Sequence, residues 1–236
     1  MSIISNIINT YIAPSKVFES VKDFEWKKAL VPLLVLVVLG VISYWVIQDL
    51  VAEVQYDAGL ERIENSSRIP DDQKEEIIAK MESQMDSGPQ KIIAWVASGL
   101  GGPISVFFMA LIALLVGNTF LGGSAKYGQL LNVTAWAFMV NILESIVKIP
   151  LMLSKWSIEV YTGLGVLGIG EKGTFIHSLL AGIDIFAIWR IILIAIGMGI
   201  IYNKKTQPYA VGMLIAWFVL KLIGAGASSF FGGFAG

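Results

Sequence analysis

Apolar positions in this chain follow two patterns: short stripes at helical spacing near the N-terminus, then long blocks with few interruptions. Ile3, Ile4, Ile7, Ile8, Tyr11 and Ile12 share one face of a helix, with Ser5, Asn6, Asn9 and Thr10 opposite. Pro14 interrupts this stripe, and Pro14-Ser15 forms a reasonable start for the next helix. There Val17, Phe18, Val21 and Phe24 oppose Lys16, Glu19, Lys22 and Asp23. Residues 1–28 are therefore predicted to form two amphipathic helices. They either lie in the membrane interface or pack against the helices that follow.

Five blocks follow, at about 29–47, 92–121, 127–153, 175–202 and 207–227. About 20 apolar residues at ~1.5 Å each cover a hydrocarbon core of roughly 30 Å, so each block is predicted to be a membrane span. Trp26, Tyr44 and Trp45 flank the first span as an aromatic belt. In the second, Pro103 predicts a kink, and Ala94, Ser98 and Gly102 form a small-residue stripe suited to close helix contact.

Between the first two spans, residues 48–88 read as a helical hairpin outside the membrane. Leu50, Val54, Leu60 and Ile63 carry the first arm's stripe, and Ser66-Ser67 breaks it. Ile69-Pro70-Asp71-Asp72 opens the second arm, with proline near its first position and acids in its first turn. Ile77, Ile78, Met81 and Met85 give its apolar face. The hairpin carries eleven acids against four basic residues. Its arms pack on each other or on a partner. Residues 154–174 are a glycine-rich loop, and 228–236 read as a flexible tail.

Composition agrees. The apolar set makes up 56% of the 236 residues and charged residues 15%, with a mean hydropathy of +0.72. A soluble domain runs near ~45–50% and ~25%. The fold class expected is all-α: a polytopic membrane protein with a five-helix transmembrane bundle, N-terminal interfacial helices and an extramembrane hairpin. With no cysteine and a single histidine, no thiolate chemistry and no multi-histidine metal site is expected, and no cofactor. The net charge is −1 without a basic run, so nucleic acid is not an expected partner. The first block lies behind Lys27 and Lys28 and lacks a small-residue cleavage site, which reads as an anchor.

Basic residues in short loops set orientation. Lys16, Lys22, Lys27, Lys28, Lys126, Lys204 and Lys205 fall on one side, against Lys155, Lys172 and the acidic hairpin on the other. The N-terminus is therefore expected in the cytoplasm and the C-terminus outside.

Pro14-x-x-x-Phe18, then Trp26, Ala29 and Pro32, resembles the opening of prokaryotic Yip-domain proteins. Tyr127 to Ala135 resembles the start of their third span, and Asp184-x-Phe186-x-x-Trp189 with Leu193 and Gly197 resembles their fourth. The resemblance implies five transmembrane helices with a cytoplasmic N-terminus. Eukaryotic relatives bind Rab-type GTPases. Here only 28 residues precede the first span, and Asp23-Phe24-Glu25-Trp26-Lys27 stands where they carry Asp-Leu-Tyr-Gly-Pro. Rab-type GTPase binding is therefore not carried over.

Candidate chemistry is sparse. Gly163-x-Gly165-x-x-Gly168 matches a dinucleotide fingerprint, but between two membrane helices it lacks the strand that such a site needs, so it reads as a loop. His177 and Asp184 share a helix face with no serine marked as activated, so no enzyme is expected. The sharpest signal is the set of polar residues inside the spans: Asn141, Glu144, Lys148, His177, Asp184, Arg190 and Lys221. A charge within the bilayer is costly and faces a partner or water. By depth, Glu144, Asp184 and Lys221 are expected to cluster, about 5–8 Å outward of their span centres at ~1.5 Å per residue. Arg190 would lie near the centre below them, and Lys148 is close enough to the external end to snorkel. Such a cluster either glues helices together or lines a path or headgroup site. The reading that follows is a non-enzymatic membrane organiser or adaptor binding lipids, itself or another membrane protein. The alternative is a small transporter or channel for an ion or polar solute.

Overall fold

The computed structural model describes residues 2–85, 88–172 and 174–232, with the side chains of 84, 85 and 228–232 excepted. Every long element is a helix. Helix α1 (Ile3–Ile12) starts where Ser2 Oγ accepts from the Ser5 amide at 3.2 Å. Pro14 occupies the first turn of α2 (Pro14–Val21), where its missing N–H costs nothing. Helix α3 (Trp26–Glu64) runs 39 residues without a break. At ~1.5 Å per residue that is about 58 Å, far longer than a hydrocarbon core of roughly 30 Å, so it carries both the first span and the hairpin's first arm.

Helix α4 (Asp71–Met85) folds back along that arm. The hairpin closes by specific fits. A Cβ on Gly59 would stand 2.5 Å from Met81 Sδ, so the glycine admits the methionine. Tyr56 Oη donates to Glu82 Oε1 at 2.6 Å, and Lys74 Nζ donates to the Glu64 carbonyl at 3.0 Å across the corner. Its base is tied to the bundle by the indole of Trp156, which donates to Glu53 Oε2 at 2.7 Å. The hydrogen bond to Glu82 raises the Tyr56 phenol above its ordinary pKa. Asp86 and Ser87 lie outside the described residues.

Helix α5 (Gly88–Leu114) packs along α3. Its small-residue stripe meets the backbone of α3: a Cβ on Gly40 would lie 2.1 Å from the Ser98 carbonyl oxygen, and one on Gly102 3.2 Å from Leu36 Cβ. Between membrane helices this contact supplies the packing that lipid exclusion cannot. A π-helical turn (Leu115–Phe120) ends the span. It aims Asn118 so that its amide pairs with the Ala125 backbone at 2.9 and 3.0 Å and accepts from Tyr202 Oη at 2.7 Å.

The third predicted span is two helices, α6 (Tyr127–Ala137) and α7 (Val140–Lys155), joined by a kink at Phe138-Met139. Helix α6 is the centre of the molecule, buried throughout from Leu130 to Ala137. Three of its side chains hold the entry to α3 by bonding otherwise unpaired carbonyls. Gln129 donates to Lys22 at 3.2 Å, Asn132 to Val21 and Asp23 at 3.1 and 3.2 Å, and Trp136 to Lys28 at 3.1 Å. Val17, Phe18 and Val21 of α2 are buried beside them. The second amphipathic helix thus turns its apolar face into the bundle.

The fourth predicted span, 175–202, is also broken. Helix α8 (Phe175–Ala181) stops at Gly182, and α9 (Ile185–Ile201) restarts after Asp184. Helix α10 (Thr206–Gly232) returns antiparallel to α9 after a turn with Asn203 at φ 51°. It continues through 228–232, which the sequence predicted as the start of a flexible tail; residues 233–236 lie outside the described residues. Four helical stretches are long and apolar enough to cross a membrane: Trp26–Glu64, Gly88–Phe120, Tyr127–Lys155 and Thr206–Ala227. Ile185–Ile201 is apolar but shorter, and packs between α6 and α10.

Candidate functional site

The break before α9 creates the site. Glycine before an Asp-led apolar run is a helix stop and start. Asp184 Oδ1 accepts from the amides of Phe186 and Ala187 at 2.8 and 3.2 Å, capping α9. Its other oxygen accepts from Thr162 Oγ1 and from Lys148 Nζ, the latter at 2.9 Å. The glycine-rich loop is seated on this cap. Leu164 N donates to the Ile183 carbonyl at 3.1 Å, and a Cβ on Gly163 would fall 2.0 Å from that same oxygen. In the apparent dinucleotide fingerprint Gly163 and Gly165 therefore serve close approach, and Gly168, at φ 60°, ends a short 3-10 turn (Leu164–Leu167).

From Asp184 a chain of alternating charge runs into the bundle. Lys148 Nζ also meets Glu144 Oε1 at 2.6 Å, one turn back on α7. The other oxygen of Glu144 accepts from Arg190 Nη1. Arg190 Nη1 donates to Asn141 Oδ1 at 2.7 Å, and its guanidinium lies 5.5 Å from the Phe138 ring centre. The four charged side chains are only 14–20% exposed. Their charges cancel; Lys148–Asp184 and Arg190–Glu144 join α7 to α9, while Lys148–Glu144 lies within α7.

This differs from the sequence expectation in two residues. Lys148 does not snorkel. The i,i+4 spacing to Glu144 and the dip of Asp184 at the helix break draw its ammonium inward. Lys221 does not join Glu144 and Asp184. Among the described residues it makes no hydrogen bond or ion pair, and its nearest aromatic contact is the Trp217 ring at 5.9 Å. His177 stands apart from the chain of charges, edge-on to Tyr161 at 6.1 Å between ring centres. Thr162 was not foreseen, because a glycine-rich loop has no periodicity to say where its side chains point.

Two cavities flank the charges. One of about 780 Å³ lies among α5, α7, α9 and α10 and is lined by Arg190 and Lys221. The other, about 320 Å³, lies among α3, α5 and α7. Gly102, Asn141 and Glu144 line both. Among the described residues no group of His, Asp and Glu side chains is placed to hold a metal ion.

No curated protein and no solved structure matches this chain. The sequence pattern of the Yip1 domain matches residues 8–229. That stretch takes in α2, the α6 staple, the broken fourth span and all of the charged chain, so the protein is a multi-pass membrane protein that belongs to the Yip1-domain family.

Proposed function

We propose that this protein is a non-catalytic membrane organiser of the prokaryotic branch of its family, engaging lipid through α1 and a partner protein, or a second copy, through the acidic hairpin. The observation that carries the reading is the division of the α1 stripe. Ile7 and Tyr11 dock on the bundle, where Tyr11 Oη donates to the Met139 carbonyl at 2.7 Å. Ile3, Ile4, Ile8 and Ile12 stay 50–75% exposed. Beside a row of membrane spans, four outward isoleucines have a natural partner in the interfacial acyl region. The paired charges of α7 and α9 support a rigid platform over a gated one. Rab-type GTPase binding forms no part of this reading. The N-terminus is cytoplasmic, and the hairpin and C-terminus are external.

The test is photo-crosslinking in native membranes. A photoreactive residue at Ile8 should capture lipid, and one at Ile7 should capture only the protein's own chain. Absence of lipid adducts at Ile8 defeats the proposal.

Transport of an ion or polar solute is the second reading. It is favoured by one observation: Glu144 faces both cavities. Proteoliposomes loaded with a pH-sensitive dye would decide. The organiser reading expects no proton flux above that of empty vesicles, and transport expects flux abolished by Glu144→Gln.

A further inference from the structure

The charges around the larger cavity do not balance. Glu144 and Asp184 contribute two negative charges, and Lys148, Arg190 and Lys221 contribute three positive ones, leaving one in excess. The excess belongs to Lys221, whose ammonium makes no ion pair among the described residues. Gly182 makes room for this side chain: a Cβ there would stand 3.0 Å from Lys221 Cδ and 3.4 Å from Nζ. An unpaired cation this far into a membrane protein is costly unless an anion meets it.

The cavity has the shape of an amphiphile's binding site. Helices α9 and α10 are antiparallel, so Arg190 and Lys221 each lie one turn to the same side of Ile194 and Trp217. Helix α5 runs in the same sense as α9, since its end at Gly117 meets Tyr202. Phe108 therefore sits at the apolar end with Ile194 and Trp217. One end of the cavity is cationic and the other apolar. Helices α5 and α10 touch only sparingly, and the cavity emerges between them. Phe108 lines it there and is 53% exposed, on the surface that faces lipid in a membrane.

We infer that this groove binds one anionic phospholipid, its phosphate held by Lys221 and Arg190 and an acyl chain lying along Phe108, Ile194 and Trp217. The charge of the headgroup cancels the single excess charge of the site, and the apolar half selects a lipid over a soluble phosphate. The inference deepens the lipid-binding part of the proposed function. Its test reads the groove alone, so it can fail while the α1 cross-link holds, and the reverse.

The experiment uses the full-length protein in phosphatidylcholine nanodiscs containing a minority of phosphatidylglycerol, released into detergent and weighed by native mass spectrometry. One retained phosphatidylglycerol per chain is expected, in preference to phosphatidylcholine. Lys221→Met should cut that preference about tenfold or more, as expected for losing a charge-assisted contact, and Lys221→Arg should keep it. Gly224→Leu supplies a second variant that leaves Lys221 in place. Gly224 lines the groove, and nothing lies within 4 Å of a Cβ there, so a leucine takes up open space at its wall without disturbing packing. It should abolish retention even if Lys221→Met does not yield folded protein. Equal retention of both lipids, or retention unchanged in Gly224→Leu, overturns the inference. Displacement of the lipid by glycerol phosphate would also overturn it, by assigning the groove to a soluble phosphate.

Discussion

Lys148 Nζ lies 2.9 Å from Asp184 Oδ2, so the residue that caps α9 is also the ion-pair partner of α7. One carboxylate thereby ends a helix break and joins two spans. Asp184→Ala removes the cap, worth about 1 kcal/mol, and strands Lys148 beside Glu144 alone. A loss of about 3–5 kcal/mol is expected for breaking such a buried pair from one side. Asp184→Asn combined with Lys148→Met keeps a capping side chain and removes both charges, so it should recover most of that loss. Thermal unfolding of the purified variants checks this, and equal destabilisation by the single and double changes would refute it.

The contact between α3 and α5 depends on glycine at one position and not at another close by. A methyl group on Gly40 meets the Ser98 carbonyl at 2.1 Å, whereas one on Gly101 meets nothing within 4 Å. Gly40→Ala should force the helices apart and lower the melting temperature. Gly101→Ala should be neutral or stabilising by up to about 1 kcal/mol, through helix propensity alone. A Gly40→Ala protein that melts with the wild type would show that the contact yields.

The hairpin should loosen in acid. The Asp71 carboxylate accepts from Lys74 Nζ at 2.7 Å, and that bond holds its pKa below the ordinary value. A depressed folded pKa means that the contribution is present above the unfolded value, about 3.9, and is lost as pH falls through the folded one. Asp71 is fully exposed, so the effect is local and small. Hydrogen exchange at the first turn of α4, corrected for intrinsic rates, should quicken below about pH 4. In Asp71→Asn that pH dependence should vanish.

Orientation is open to labelling because the chain has no cysteine. In intact cells an impermeant maleimide should label Ser83→Cys on the hairpin. It should leave Ser5→Cys and Lys205→Cys unlabelled until the cells are opened. The opposite pattern would invert the protein in the membrane.

The linear pattern alone determined the all-helical membrane fold and the hairpin's two helical arms, and singled out the polar residues among its apolar blocks. Each of these follows from periodicity and from the cost of placing polar groups in hydrocarbon, both of which are local properties. The break at Gly182-Ile183-Asp184 was within reach of the sequence, since an Asp cap before an apolar run is a helix start; the continuous hydropathy of 175–202 masked it. Tertiary structure alone decided which charges meet. Depth along a span says how far a side chain is from the surface, but not which way it faces. The kink at Phe138-Met139 and the break at Asp184 turn α7 and α9 toward each other. Lys148 consequently takes the place expected for Lys221, and Lys221 is left facing a groove. The inward turn of α2 was decided in the same way. An apolar stripe is equally satisfied by lipid or by protein, and only the buried fit of Val17, Phe18 and Val21 beside α6 and α9 selects between them.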